Sequence, residues 1–189
     1  IKELKSNSAA VFNANDIMPT NADGSMGFVQ NSDLFYLCGI DQEETILVLY
    51  PDAITKAWRE MLFVRETNER IAVWEGHKYT KEEARKASGI QEVYWLSEFE
   101  GIFRQVMSNC AHLYLNSNEH HRAVVEVESR DARFAKWGRK KYPLHDYKRS
   151  APVMQKLRMI KGKEEIELIH QACSITEKGF RRILPFIKP

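Results

Sequence analysis

Two short runs, Thr45-Ile46-Leu47-Val48-Leu49 and Met61-Leu62-Phe63-Val64, decide the fold class of this chain. Each is a continuous apolar stretch of strand length, rich in β-branched and aromatic residues, with turn-forming residues on either side. A strand with one solvated face alternates apolar and polar residues. These two do not alternate, so both are expected to be central strands covered on two sides. Ala9-Ala10-Val11-Phe12 and Asp33-Leu34-Phe35-Tyr36-Leu37 also read as strands, and Asn13 to Gly27, polar and holding Pro19 and Gly24, reads as a long connecting loop.

From residue 80 the apolar period becomes helical. Thr80-Lys81-Glu82-Glu83 and Ser97-Glu98-Phe99-Glu100 both have the spacing of a capping box, a hydroxyl three residues ahead of the glutamate that reciprocates. The first opens a short helix that ends at Gly89. The second opens a helix with Phe99, Ile102, Phe103, Val106 and Met107 along one face. Glu92-Val93-Tyr94-Trp95 and His112-Leu113-Tyr114-Leu115 are further strands, and Arg130 to Lys141 is a basic stretch of helical tendency. Strands and helices alternating in units this short indicate a layered α/β domain. From Lys163 to Leu184 the apolar residues cover about half of a helix, more than one packing surface needs. Two readings fit: a terminal helix docked on its own domain, or the first helix of a second domain.

Composition narrows the functions. Lys and Arg number 28 against 26 Asp and Glu, a net charge of +2, too balanced for a protein whose main partner is a polyanion. Arg133, Lys136, Trp137, Arg139, Lys140, Lys141, Tyr142, Tyr147, Lys148 and Arg149 interleave cations with aromatics as single-strand nucleic-acid grooves do. The favoured alternative is a solvated helix and a charged loop whose aromatics anchor it to the body, because the chain is nearly neutral and no nucleic-acid motif accompanies these residues. The longest apolar run, Ile46 to Tyr50, is far shorter than the ~20 residues of a membrane span. The opening Ile1-Lys2-Glu3-Leu4-Lys5 has no initiator methionine and no signal-peptide core, so a trimmed start is expected. Cys38, Cys110 and Cys173 are odd in number and widely spaced, as expected of buried free thiols in a reducing, cytoplasmic setting.

Catalytic constellations fail one by one. The sequence has no H-E-x-x-H, G-x-S-x-G, Walker A or G-x-G-x-x-G motif. Glu119-His120-His121 groups three potential ligands, but neighbours on an extended chain face opposite ways, and a solvated loop is expected. Glu43/Glu44 and Glu82/Glu83 sit at a turn and in a helical first turn, where acid–base work is not required of them. No catalytic and no metal-ligating residue is assigned.

Several segments, taken in order, carry a resemblance. Gln30-Asn31-Ser32-Asp33-Leu34-Phe35-Tyr36-Leu37-Cys38-Gly39 is followed by the acidic turn and apolar strand Glu43 to Leu49. Then come Val73-Trp74-Glu75-Gly76-His77-Lys78 and, near the end, Leu157-Arg158-Met159-Ile160-Lys161-Gly162-Lys163-Glu164-Glu165-Ile166. The ordered set resembles the N-terminal domain of Xaa-Pro aminopeptidases (aminopeptidase P), in the prolidase and creatinase group. It departs at Val29, where the family has an arginine, and at His77-Lys78, where it has an arginine pair.

The resemblance implies a mixed β-sheet with helices on both sides, ribonuclease H-like, over residues 1–160. Residues 161–189 would form a linker and the first helix of a C-terminal "pita-bread" metallopeptidase domain. That domain would hold two divalent metals, commonly manganese, on two Asp, one His and two Glu, none of which maps onto this chain. It would release the residue preceding proline. The implied partners are the chain's own catalytic domain, further copies in a homo-oligomer, and peptides with proline second. By the same resemblance Trp74 reaches the substrate pocket of a neighbouring subunit; alternatively it is a core residue of its strand. An inactive peptide- or protein-binding module of the same fold is the second functional reading.

Overall fold

The computed structural model describes residues 3–124 and 126–188; Ile1, Lys2, Val125 and Pro189 lie outside the described residues. Among the described residues six strands form one sheet: β1 (Ser8–Asn13), β2 (Ile46–Leu49), β3 (Glu60–Val64), β4 (Glu92–Trp95), β5 (His112–Leu115) and β6 (Asp146–Arg149). Their order is β4-β3-β2-β1-β5-β6. β2 runs antiparallel to both β1 and β3, while the β3–β4, β1–β5 and β5–β6 pairs are parallel, so the sheet is mixed. The chain builds outward from β1 through β2 and β3 to β4. It then crosses to the other side of β1 for β5 and β6. The two runs that suggested central strands hold inner places, and all six residues of β1 are buried.

Both faces of the sheet are covered, as its apolar strands demand. Side chains alternate across the pleat. Ala9, Val11, Ile46, Val48, Met61, Phe63 and Leu113 point to one face and meet Phe99, Phe103, Val106 and Met107 of α4 (Phe99–Asn109). Phe134 and Trp137 of α5 (Arg130–Lys141) close that side. Ala10, Phe12, Leu47 and Leu62 alternate to the opposite face. There α1 (Ser32–Cys38) packs on β1 and β2 with Leu34 and Cys38 buried, and α3 (Lys81–Ser88) packs on β4 with Ala84 buried. Burying each of these large side chains contributes roughly 1.5–3 kcal/mol.

Several expectations need correction. Asp33 to Leu37 is helix α1, not a strand. The Asn31 carboxamide accepts from the Asp33 and Leu34 amides, and Gly39, at φ 68°, closes the other end. Leu34 and Cys38, one turn apart, are the residues buried. Trp74 lies on helix α2 (Glu69–Glu75), which is capped by Asn68, and not in the core of a strand. Thr80 and Glu83 form the expected capping box. Ser97 and Glu100 do not: Leu96–Glu98 is a 3-10 turn, and Glu98 accepts from the Trp95 amide at 2.8 Å. Glu100 instead meets Lys141. Asp146–Arg149, expected as charged loop, is the edge strand β6. Cys38 and Cys110 are buried, but Cys173 is exposed.

The chain divides into two compact units, Ile1–Val153 and Met154–Pro189. The second holds the latter part of α6 (Ala151–Met159) and then α7 (Lys163–Ile183), with Glu164 and Glu165 in its first turn and Arg181 and Arg182 in its last. Those charges complement the helix dipole. No residue of α7 is buried.

Candidate functional site

The antiparallel register of β2 and β3 places Ile46 opposite Phe63. Continued by two residues, it brings Glu44 beside Arg65, where both strands leave the sheet. The Arg65 guanidinium binds Glu75 through both terminal nitrogens, at 2.6 and 2.9 Å. Its Nε lies 3.3 Å from Glu44, and Nη1 lies 3.6 Å from Glu43. Lys78 meets the buried Glu43 carboxylate at 2.5 Å. Burial pushes the Glu43 carboxyl up, but the Lys78 hydrogen bond and the charges of Lys78 and Arg65 outweigh it and hold the group below its usual range.

These charges tie the C-terminal end of α2 and its exit to the ends of β2 and β3. Glu75 closes its last turn onto Arg65, and Lys78, just beyond Gly76, ties the exit to Glu43. Gly76 has φ 79°, a conformation that suits glycine and allows the sharp departure. The Tyr79 amide then donates to Gln42 Oε1 at 2.7 Å. The helix so held presents Val73 and Trp74 outward, at 78% and 83% exposure. A large indole exposed on a short helix tied down at its C-terminal end is apolar area with no internal partner to pack on.

The residues that carried the resemblance have structural tasks. Gln30 Nε2 donates to the carbonyls of Ile40 and Gln42 at 3.0 and 2.8 Å, tying the entry of α1 to the start of β2. Asn31 caps α1 and also donates to Asp131 at 3.3 Å. Asp131, buried in the first turn of α5, accepts from Asn13 at 2.8 Å. Burial pushes its carboxyl up to about 6, although the hydrogen bonds from Asn13 and Asn116 pull the other way.

The other singled-out residues do not assemble. Glu119 is bound by Arg149 at 2.8 and 3.0 Å, and the rings of His120 and His121 stack on one another at 4.6 Å. Among the described residues no three His, Cys, Asp or Glu are placed to hold a metal ion, so the chain offers no fit for the implied metal pair. In the basic stretch the aromatics turn inward: Trp137, Tyr142 and Tyr147 pack against the core. Lys141 and Arg139 lie over the Trp137 and Tyr147 rings. The Glu43, Arg65 and Lys78 cluster was not recognised in the sequence; its signal was the hairpin register, which sets an acid opposite a base at the strand ends.

Residues 1–115 match the family described as aminopeptidase P, N-terminal domain. The chain belongs to this family. Over its entire length it is 25% identical to the Xaa-Pro aminopeptidase of Escherichia coli, covering 43% of that protein. Over 99% of its length it is 24% identical to the Xaa-Pro aminopeptidase of Haemophilus influenzae, covering 41%. A structure assigned to aminopeptidase P of Bacillus anthracis superimposes on 97% of the chain with a TM-score of 0.85 and 30% identity, using 43% of that chain. The aminopeptidase P N-terminal domain seen here thus spans less than half the length of the relatives it matches. Among the described residues no helix is long and apolar enough to cross a membrane.

Proposed function

We propose that this chain is the non-catalytic N-terminal part of a cytoplasmic Xaa-Pro aminopeptidase, a two-metal hydrolase that releases the residue preceding proline. The observation that carries this reading is the match itself: all of this chain, but only 43% of the Escherichia coli enzyme. The metals, manganese in this reading, would be held by residues of a C-terminal domain. Bound there, they would supply Lewis-acid activation of water. Residues 161–189 would lead into that domain, and copies of the protein would associate.

Within this reading the chain's own contribution is to position an apolar wall. Arg65, Glu43 and Lys78 hold α2, and α2 offers Trp74 to the substrate pocket of a neighbouring subunit. An indole provides flat apolar contact for a proline ring at low entropic cost. The test is Trp74→Ala in the full-length enzyme, assayed on a tripeptide with proline second. At 83% exposure the residue has little to lose in stability, so unfolding should shift by no more than about 0.5 kcal/mol. kcat/KM should fall roughly three- to tenfold, the worth of one aromatic contact. A variant that keeps full activity removes the pocket role. A full-length protein that binds such peptides without metal-dependent hydrolysis favours the inactive binding module.

A further inference from the structure

On the α4 side of the sheet, at the end where β1 finishes and β2 begins, lies a cleft of about 510 Å³. Its apolar wall is Ile46, Leu96, Phe99, Phe134 and Trp137. The rings form a continuous surface, with Phe134 5.2 Å from Trp137 and 5.9 Å from Phe99. A second cavity of about 220 Å³ adjoins it, and the two share Asp16, Glu44 and Arg130. The volume lies in the range of small-molecule sites, and the lining sets an apolar wall against a polar side of Asn13, Asp16, Glu44, Glu100, Arg130 and Arg133.

Most of the charges in the wall are already committed. Asp16 is paired with Arg133 at 2.7 Å, Glu44 with Arg65 at 3.3 Å and Glu100 with Lys141 at 2.5 Å. Arg130 is the exception. It is half-buried and lines both cavities, yet among the described residues it makes no ion pair. Burial lowers its pKa, with Glu44 and Asp16 only partly compensating through space. It stands in the first turn of the twelve-residue helix α5, whose dipole also favours an anion there. A guanidinium half-withdrawn from water is normally matched by a carboxylate or phosphate in fork geometry.

We propose that this cleft binds a small organic anion, a carboxylate joined to an aromatic or branched apolar body, with the carboxylate on Arg130 and the body against Phe99, Phe134 and Trp137. The site is separate from the Trp74 surface and independent of the catalytic reading. The body is favoured over a bare inorganic anion because Phe99, Phe134 and Trp137 present a continuous apolar wall beside Arg130, and among the described residues Arg130 is the one lining cation without an ion pair.

The full chain is titrated with N-acetylphenylalanine and, in parallel, with its uncharged amide. Binding is followed by calorimetry and by the indole NMR signal of Trp137. The acid should bind at least about tenfold more tightly than the amide, because only the acid completes the charge-assisted pair. Arg130→Gln should weaken the acid by a similar factor and leave the amide unchanged, while Arg130→Lys should retain part of the preference. Having no ion pair to lose, Arg130→Gln should melt at or above the temperature of the parent chain. Equal affinity for acid and amide, acid binding unaffected in Arg130→Gln, or no binding at about 10 mM would each overturn the proposal. The acid–amide comparison needs no variant and decides the question even if Arg130→Gln folds poorly.

Discussion

Helices α4 and α7 carry the same kind of sequence pattern and meet opposite fates. Phe99, Phe103, Val106 and Met107 of α4 are buried, and Phe103 lies among Phe99, Phe134, Trp137 and Tyr142 with ring separations of 5.0–5.9 Å. The corresponding face of α7, with Ile166, Ile169 and Phe180, has no buried residue. An apolar stripe states that a helix has something to cover, and it does not state what covers it. α4 draws its stability from packing. α7 relies on its 21-residue length, charged first and last turns, and the Glu177–Arg181 pair one turn apart.

That contrast can be broken most directly at Phe103. Phe103→Ala should cost about 3–5 kcal/mol, since a ring of 0% exposure leaves a cavity between sheet and helices. Denaturant unfolding measures it, and a loss under about 1 kcal/mol would mean that α4 is not the closure of this core.

Asp131 sharpens the comparison, being buried on α5 but ionisable. Burial raises its carboxyl from the ordinary 3.8 to about 6, and the nearby Asp33 charge pushes the same way. Between those values the folded chain holds the proton more tightly than the unfolded chain. Its contribution is therefore greatest below about pH 4, declines as pH rises through about 6, and amounts to roughly 3 kcal/mol at most. Unfolding of the parent and Asp131→Asn across pH 4–7 checks this. The variant, unable to titrate, should lack that decline, and an identical pH dependence in the two would refute it.

The smallest effect belongs to α7. Ile175 is 71% exposed, and Ile175→Ser should change the stability of this chain by no more than about 0.5 kcal/mol. In a longer protein whose next domain covers α7, the same substitution should cost about 1–3 kcal/mol. Equal effects in the two settings would argue that the face stays open.

Legibility in the sequence followed burial. β1 could be read because it is a short apolar run, β2 and β3 because both their faces are apolar, and α4 because its stripe has helical period. β6 could not: Asp146-Tyr147-Lys148-Arg149 earns its place by backbone pairing to β5, which leaves no mark on a polar edge strand. Residues 33–37 misled because Leu, Phe and Tyr suit a strand. The decisive signals were the Asn31 cap and Gly39, both outside the apolar run. Trp74 misled in the same way, since Ile71-Ala72-Val73-Trp74 resembles a strand while Asn68 starts a helix.

By itself, then, the sequence determined the periodic elements, the central place of β2 and β3, and the family. Each rests on residues near one another in the chain or on short motifs in order. Tertiary structure alone decided that Glu43 is buried against Lys78, that Trp74 faces outward, and that Arg130 lines a cleft with no ion pair among the described residues. Those outcomes depend on distances between groups that strand order brings together, such as the end of β1 and the start of α5, more than a hundred residues apart. Charge and apolar area are written in the sequence. Whether a charge is matched or an apolar face covered depends on which other segments arrive within a few ångströms.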